Sequence, residues 1–191
     1  MVSVARPEME HPNRPVEGAA YRVQDLGIRL HSSEGPRQIL ESIHFEVRPG
    51  EILGIVGRSG TGKTTLLRVL GGLLPATSGT FELEGRPVVG PSSAVVTVFQ
   101  DYQNALLPWR TIALQDEVLH VQNETGATLV FITHDLDEAI YLADRVLVLA
   151  GSPGRVALTT ATELPRPRHQ ITTRELPEYL RARHRLAEAL L

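Results

Sequence analysis

Residues 57–65 read Gly57-Arg58-Ser59-Gly60-Thr61-Gly62-Lys63-Thr64-Thr65, and this stretch decides the fold. It fits the pattern G-x-x-x-x-G-K-[ST] and follows the apolar run Ile52-Leu53-Gly54-Ile55-Val56, which predicts a phosphate-cradling loop between a buried strand and a helix. The glycines let the backbone curl so that successive N–H groups point inward at phosphate oxygens, and a helix beginning near Gly62 adds the positive end of its dipole. In that geometry residues Gly57 to Thr65 hold a nucleoside triphosphate, with Lys63 reaching the β- and γ-phosphates and the Thr64 hydroxyl ligating Mg²⁺. A glycine-rich turn opening an ordinary helix is the plain alternative. The strand pattern before the loop and Leu66-Leu67-Arg68-Val69-Leu70 after it argue against that.

Composition sets the frame around this loop. The 191 residues suit one domain with a substantial core, and 42% hydrophobic with 21% charged residues is an ordinary globular profile. A net charge of −3 with a pI near 6.2 gives no electrostatic footprint for nucleic acid. No apolar run approaches the roughly 20 residues needed to span a bilayer, and the N-terminus lacks a basic-then-apolar signal pattern. The chain is therefore expected in the cytoplasm, with any membrane role coming through a partner. The absence of cysteine excludes disulfides, zinc-thiolate sites and thiol nucleophiles.

Working outward from the loop, residues 1–20 read as a disordered leader, and the extended stretches Tyr21–Leu30 and Ile39–Val47 flank a turn-rich segment. A helix running to about Leu73 places Leu66, Leu67, Val69, Leu70 and Leu73 on one face. Thr80–Leu83 and Arg86–Val89 flank Glu84-Gly85 as a small hairpin, and Val95–Phe99 has buried-strand character. Ile112 to Asn123 reads as a helix burying Ile112, Leu114, Val118, Leu119 and Val121. The strand Thr128–Ile132 follows, then a capping box at Asp135-x-x-Glu138 opening a helix over Leu136–Leu142. Strands Arg145–Leu149 and Val156–Thr160 complete residues 21–162. The segment 163–191 is an extension ending in an amphipathic helix, Pro177 to Leu190, expected to dock through Leu180, Leu186, Ala187 and Leu190. Strands alternating with helices after a phosphate loop predict a parallel α/β sheet with an antiparallel appendage.

Two further residues carry possible chemistry. Gln100 follows a buried strand, where an amide reaches Mg²⁺ or the water near a γ-phosphate, although strand-end amides are also common turn residues. His134 likewise follows a strand, where imidazole can bond a γ-phosphate oxygen or serve as a structural group. Asp135 beside it reads as a helix cap.

In their fixed order these motifs resemble the ATP-binding subunit of an ABC transporter. Gly50-Glu51-Ile52, the Gln100 turn and Thr133-His134-Asp135-x-Asp137-Glu138-Ala139 match that family's lead-in, Q-loop and switch-histidine loop. Val98-Phe99-Gln100-Asp101-Tyr102 with Leu106-Leu107-Pro108-Trp109-Arg110-Thr111 is similar to the nitrate/sulfonate/taurine importer subgroup. Ala143-Asp144-Arg145-Val146, Pro153-Gly154-Arg155-Val156 and the tail from Leu164 to Glu175 agree, so the resemblance runs from about Tyr21 to the C-terminus. It implies a P-loop NTPase fold of ABC type, a RecA-like parallel sheet with an antiparallel β subdomain. It also implies ATP and Mg²⁺ as ligands, Thr64 and Gln100 on the metal, and His134 and Gln100 as catalytic residues. The implied partners are a membrane permease and a second copy of the chain, at the inner face of the cell membrane. The family's adenine-stacking aromatic would fall near Leu30 or His31.

One block of the family pattern is missing. Members carry a helical subdomain, the signature Leu-Ser-Gly-Gly-Gln and an apolar strand ending in Asp-Glu between the Q-loop and the switch histidine. Lys63 and His134 are separated by only 71 positions, where an intact member has about twice that. The match to the Q-loop region ends at Thr111 and resumes at Ile112. Asp116-Glu117 is no substitute for the lost pair, because Gln115 interrupts the apolar run and the neighbours fit a helix face. Without the metal-supporting aspartate and the water-polarising glutamate, hydrolysis is expected to fall by factors of about a thousand or more. Head-to-tail dimers that close a signature sequence on the partner's ATP cannot form normally. The lost strand would lie between Val95–Phe99 and Thr128–Ile132, so both are expected to pair anew or expose edges. Two other readings remain: a nucleotide-binding module without catalysis, and another phosphate-loop enzyme such as a small-molecule kinase. The kinase needs an acceptor pocket and an arginine-bearing lid, and only about two dozen residues lie between Thr111 and His134.

Overall fold

The computed structural model describes residues 18–33, 35–88, 90 and 108–191, with the backbone alone for Ser32 and for 108–113. The Val95–Phe99 strand and Gln100 lie outside these residues.

Two four-stranded sheets share a hydrophobic core. The first is antiparallel, with β1 (Tyr21–Ser32), β2 (Gly35–Val47), β4 (Ser78–Leu83) and β5 (Arg86–Pro87) in the order β2-β1-β4-β5. As the alternation predicts, Ile43, Phe45 and Val47 are buried while His44 is exposed and Glu46 half-buried. The second sheet runs β6-β3-β7-β8, from β3 (Ile52–Gly57), β6 (Leu129–Ile132), β7 (Arg145–Ala150) and β8 (Arg155–Ala161). β6 and β7 pair parallel to β3, and β8 returns antiparallel to β7.

β3 and β7 are continuous apolar runs because both of their faces are covered. Leu53, Ile55, Leu147 and Leu149 join the first sheet and α1 (Lys63–Leu70) in one core. Ile52, Val56, Val146 and Val148 join α2 (Pro108–Thr125), α3 (Leu136–Leu142) and α4 (Pro177–Leu190) in the other. β6 ends the described sheet, and its Leu129, Val130 and Phe131 are only half-buried.

Four local expectations need correction. α1 stops at Leu70, and Leu73 is 54% exposed. Gly72, at φ 69°, sits just past the helix end, with its N–H on Val69 O and that of Leu73 on Arg68 O. This is a Schellman cap, which turns Leu73 off the helical face. α2 buries Gln115, Leu119 and Gln122, while Leu114 and Val121 are 44% and 47% exposed. The amides go inward because they find partners there: Gln122 donates to Gly50 O at 2.7 Å, and Gln115 accepts from Gln170 at 3.2 Å. α4 docks through Tyr179, Ala182 and Leu186, leaving Leu180 57% exposed and Ala187 exposed, because the Tyr179 hydroxyl bonds Asp137 Oδ1 at 2.9 Å. The capping box is half formed. Asp135 Oδ1 accepts from the N–H groups of Asp137 (2.8 Å) and Glu138 (3.1 Å), but the Asp135 N–H goes to Thr133 Oγ1 and Glu138 meets Gln115.

Candidate functional site

The site forms where β3 runs out at Gly57. A Cβ there would stand 2.5 Å from Leu149 O, so glycine lets the chain turn away hard against β7. Gly60 and Gly62 then adopt φ of 84° and 91°, and around Gly60 a Cβ would meet nothing within 4 Å. Gly62 caps α1 without any side-chain hydrogen bond, which leaves the first N–H groups of the helix turned to an incoming anion. Arg58, Ser59 and Gly60 are exposed, Lys63 and Thr65 half-buried, and Thr61 buried with its hydroxyl donating to Arg58 O at 2.9 Å.

The Lys63 ammonium folds back over the loop, donating to Gly57 O at 2.6 Å and to Arg58 O at 2.8 Å. Burial lowers its pKa from the ordinary lysine value. Thr64, on the first turn of α1, is exposed. A glycine-turned loop, a helix N-terminus without a side-chain cap and a half-buried ammonium together fit a polyphosphate, and the Thr64 hydroxyl supplies one oxygen donor for a divalent cation beside it. Among the described residues no group of three or more His, Asp or Glu side chains gathers to hold a metal. Gln100, expected as a second donor to the cation, lies outside the described residues.

His134 follows β6, whose register pairs Ile132 with Ile55. The Thr133 N–H donates to Ile55 O at 3.0 Å, so continuing the register sets His134 level with Gly57 on the neighbouring strand. The imidazole is exposed, and the Asp135 cap fixes the chain as it leaves. Thus the loop and His134 come together at one end of the parallel sheet.

Asp116 and Glu117 lie on α2, where Asp116 Oδ1 accepts from Tyr141 Oη at 2.9 Å and Gln170 Nε2 at 3.0 Å. Burial and this contact push the Tyr141 phenol up to about 12. Tyr21 is buried and stacked on Phe81, with ring centroids 6.0 Å apart, whereas His31 is exposed near the end of β1.

Sequence reasoning missed the supports of this site. Asp144 carries the largest of them: its Oδ2 accepts from Ile52 N–H at 3.0 Å, and its carboxylate pairs with Arg166 and Arg168 at 2.8 and 2.9 Å. Arg168, whose side chain is 2% exposed, also donates to the carbonyls of Tyr141 and Leu142. Their sequence signals were the family matches at Ala143-Asp144-Arg145-Val146 and Leu164 to Glu175 and a run of charges in a proline-rich tail, which usually marks solvent.

Comparison with known proteins adds four findings. A family model described as "ABC transporter" matches residues 40–162. The aliphatic sulfonates import ATP-binding protein SsuB 2 of Burkholderia cenocepacia is 32% identical over 250 aligned positions, covering 92% of the chain and 90% of that protein. That share is about 176 of 191 residues, so about 74 of the 250 positions have no residue here. The nitrate import ATP-binding protein NrtC of Synechococcus elongatus is 26% identical over 79% of the chain and 35% of its own length. Among solved structures, a dimeric ATP-binding cassette in a post-hydrolysis state with ADP and Pi superposes with a TM-score of 0.55 at 16% identity. It covers 74% of the chain and 98% of the cassette, which speaks for the fold.

Proposed function

The chain belongs to the ABC transporter family, and from that premise we propose that it is the ATP-binding subunit of an importer for nitrate-, sulfonate- or taurine-like solutes. In this reading residues Gly57 to Thr65 hold ATP, Thr64 and Gln100 hold Mg²⁺, and His134 senses the γ-phosphate. The subunit works in the cytoplasm against a membrane permease. Among the described residues no helix is long and apolar enough to cross a membrane. Residues 21–162 form the nucleotide-binding unit and 163–191 an extension docked on it through α4.

The observation that carries this reading is the loop itself: left-handed Gly60 and Gly62, an α1 N-terminus without a side-chain cap and the Lys63 ammonium lie together at the end of β3. Turnover is a separate matter. The aligned relatives carry positions absent here, and among the described residues none of the parallel strands β3, β6 and β7 runs into an Asp-Glu pair. We therefore expect binding of ATP with little or no hydrolysis, so that this chain acts as a nucleotide-occupied partner rather than a motor. The test is a titration of purified protein with ATP in the presence and absence of Mg²⁺, beside a phosphate-release assay. Micromolar binding lost in Lys63→Ala, with phosphate release at background, is the expected result. Steady release abolished by Lys63→Ala would overturn the non-hydrolysing part, and no binding at all would overturn the whole.

A further inference from the structure

The phosphate loop rests on two elements outside its own motif. One is the backbone of β2 around Leu40; the other is the turn of residues 151–154 that joins β7 to β8. The two are stitched together where they meet. Gly154 N–H donates to Ile39 O at 2.8 Å, Glu41 N–H donates to Gly154 O at 3.0 Å, and Leu40 and Gly154 form a parallel bridge. On the solvent side Arg155 pairs with Glu41 at 2.6 Å.

Thr61, in the middle of the phosphate loop, lies directly on this seam. A Cβ built on Gly154 would stand 2.0 Å from the Thr61 carbonyl oxygen and 3.1 Å from its carbonyl carbon. The obstructed atoms are backbone, so relief requires the phosphate loop itself to move. Glycine is needed at 154 for room rather than for conformation, because in this turn the left-handed φ belongs to Gly151, at 84°. Leu40 closes the seat from below, since a Cβ on Gly62 would stand 2.6 Å from Leu40 Cδ2.

We infer that Gly154 is a positioning residue for the polyphosphate of the nucleotide. It lets the β7–β8 turn and β2 hold the Thr61 carbonyl against the protein, which keeps the opposite face of the loop, where the N–H groups are, turned toward the ligand. This inference rests on the nucleotide-binding reading above. It predicts that the β7–β8 turn, which begins 86 positions beyond the end of the motif, sets nucleotide affinity.

The experiment titrates full-length protein with a fluorescent ADP analogue. Gly154→Ala is expected to bind at least tenfold more weakly than wild type. Gly151→Ala strains the same turn by its φ without reaching the loop and is expected to bind within threefold of wild type, which a merely structural role for the turn would not produce. Gly154→Ala binding within threefold of wild type, or Gly151→Ala losing as much as Gly154→Ala, overturns the inference. Should Gly154→Ala fail to fold, Arg155→Gln loosens the exposed side of the seam and leaves the interior intact. About threefold weaker binding supports the inference, and unchanged affinity overturns it. Wild-type protein that takes up no nucleotide would instead sink the nucleotide reading, so the two failures are distinguishable.

Discussion

At the scale of the residue, Thr64 and Asp144 make opposite kinds of contribution. Thr64 is exposed at the head of α1 and holds nothing in the fold, so its hydroxyl is available to a cation. Thr64→Ala is expected to leave thermal stability within about 0.5 kcal/mol, the usual range for an exposed substitution, while abolishing the Mg²⁺ dependence of ATP affinity. Calorimetric titration with and without the metal checks this. Asp144 does the reverse: it faces two guanidiniums, one of them buried, and also ends the β3 ladder at Ile52. Asp144→Asn leaves Arg168 without its counter-charge, and a loss of about 3 kcal/mol in denaturant unfolding is expected. The loop residues and His134 were legible because they sit in a spaced motif. Asp144 and Gly154 were seen only as parts of a resemblance, since their work depends on partners 92 and 93 positions away at Ile52 and Thr61.

At the scale of the element, local chemistry decided the ends and tertiary partners decided the faces. α3 spans Leu136–Leu142 as its cap predicts, because Asp135 needs only its own neighbours to form it. Asp135→Ala should cost about 1 kcal/mol and raise amide hydrogen exchange in the first turn of α3, leaving the β3 amides protected. The faces of α2 and α4 were read in part: Leu119 and Leu186 are buried and Val118 and Leu190 pack against the core, while Gln115, Gln122, Tyr179 and Ala182 are buried in place of Leu114, Val121, Leu180 and Ala187. Counting apolar residues cannot foresee that Gln115 and Gln122 meet hydrogen-bond partners inside, or that the Tyr179 hydroxyl reaches Asp137. Leu114, Val121 and Leu180 face outward as a result.

At the scale of the whole molecule, a parallel sheet with an antiparallel appendage could be read from the chain, because alternation and buried runs report the layers directly. The joining of β4 and β5 to that appendage and the antiparallel return of β8 were set by partners distant in sequence. The packing of the tail on α2 and α3 could not be read either, and it carries a pH signature. The Tyr141 phenol, ordinarily near 10, is pushed up to about 12 in the folded state, so the native protein keeps this proton more tightly than the unfolded chain does. The resulting stabilisation is complete below pH 10 and is lost progressively as pH rises toward 12. Denaturant midpoints recorded between pH 8 and 12 should fall across that window, and Tyr141→Phe should flatten the fall.

Lys63 enters the native state with its ammonium already held by the carbonyls of Gly57 and Arg58. Freezing a long lysine side chain costs up to about 2 kcal/mol of rotamer entropy, and here folding has supplied it before any nucleotide arrives. The phosphate meets a preorganised cation that needs only to exchange neutral oxygens for charged ones. Association through Lys63 should therefore show a favourable enthalpy with little ordering penalty, in contrast to a lysine recruited from solvent.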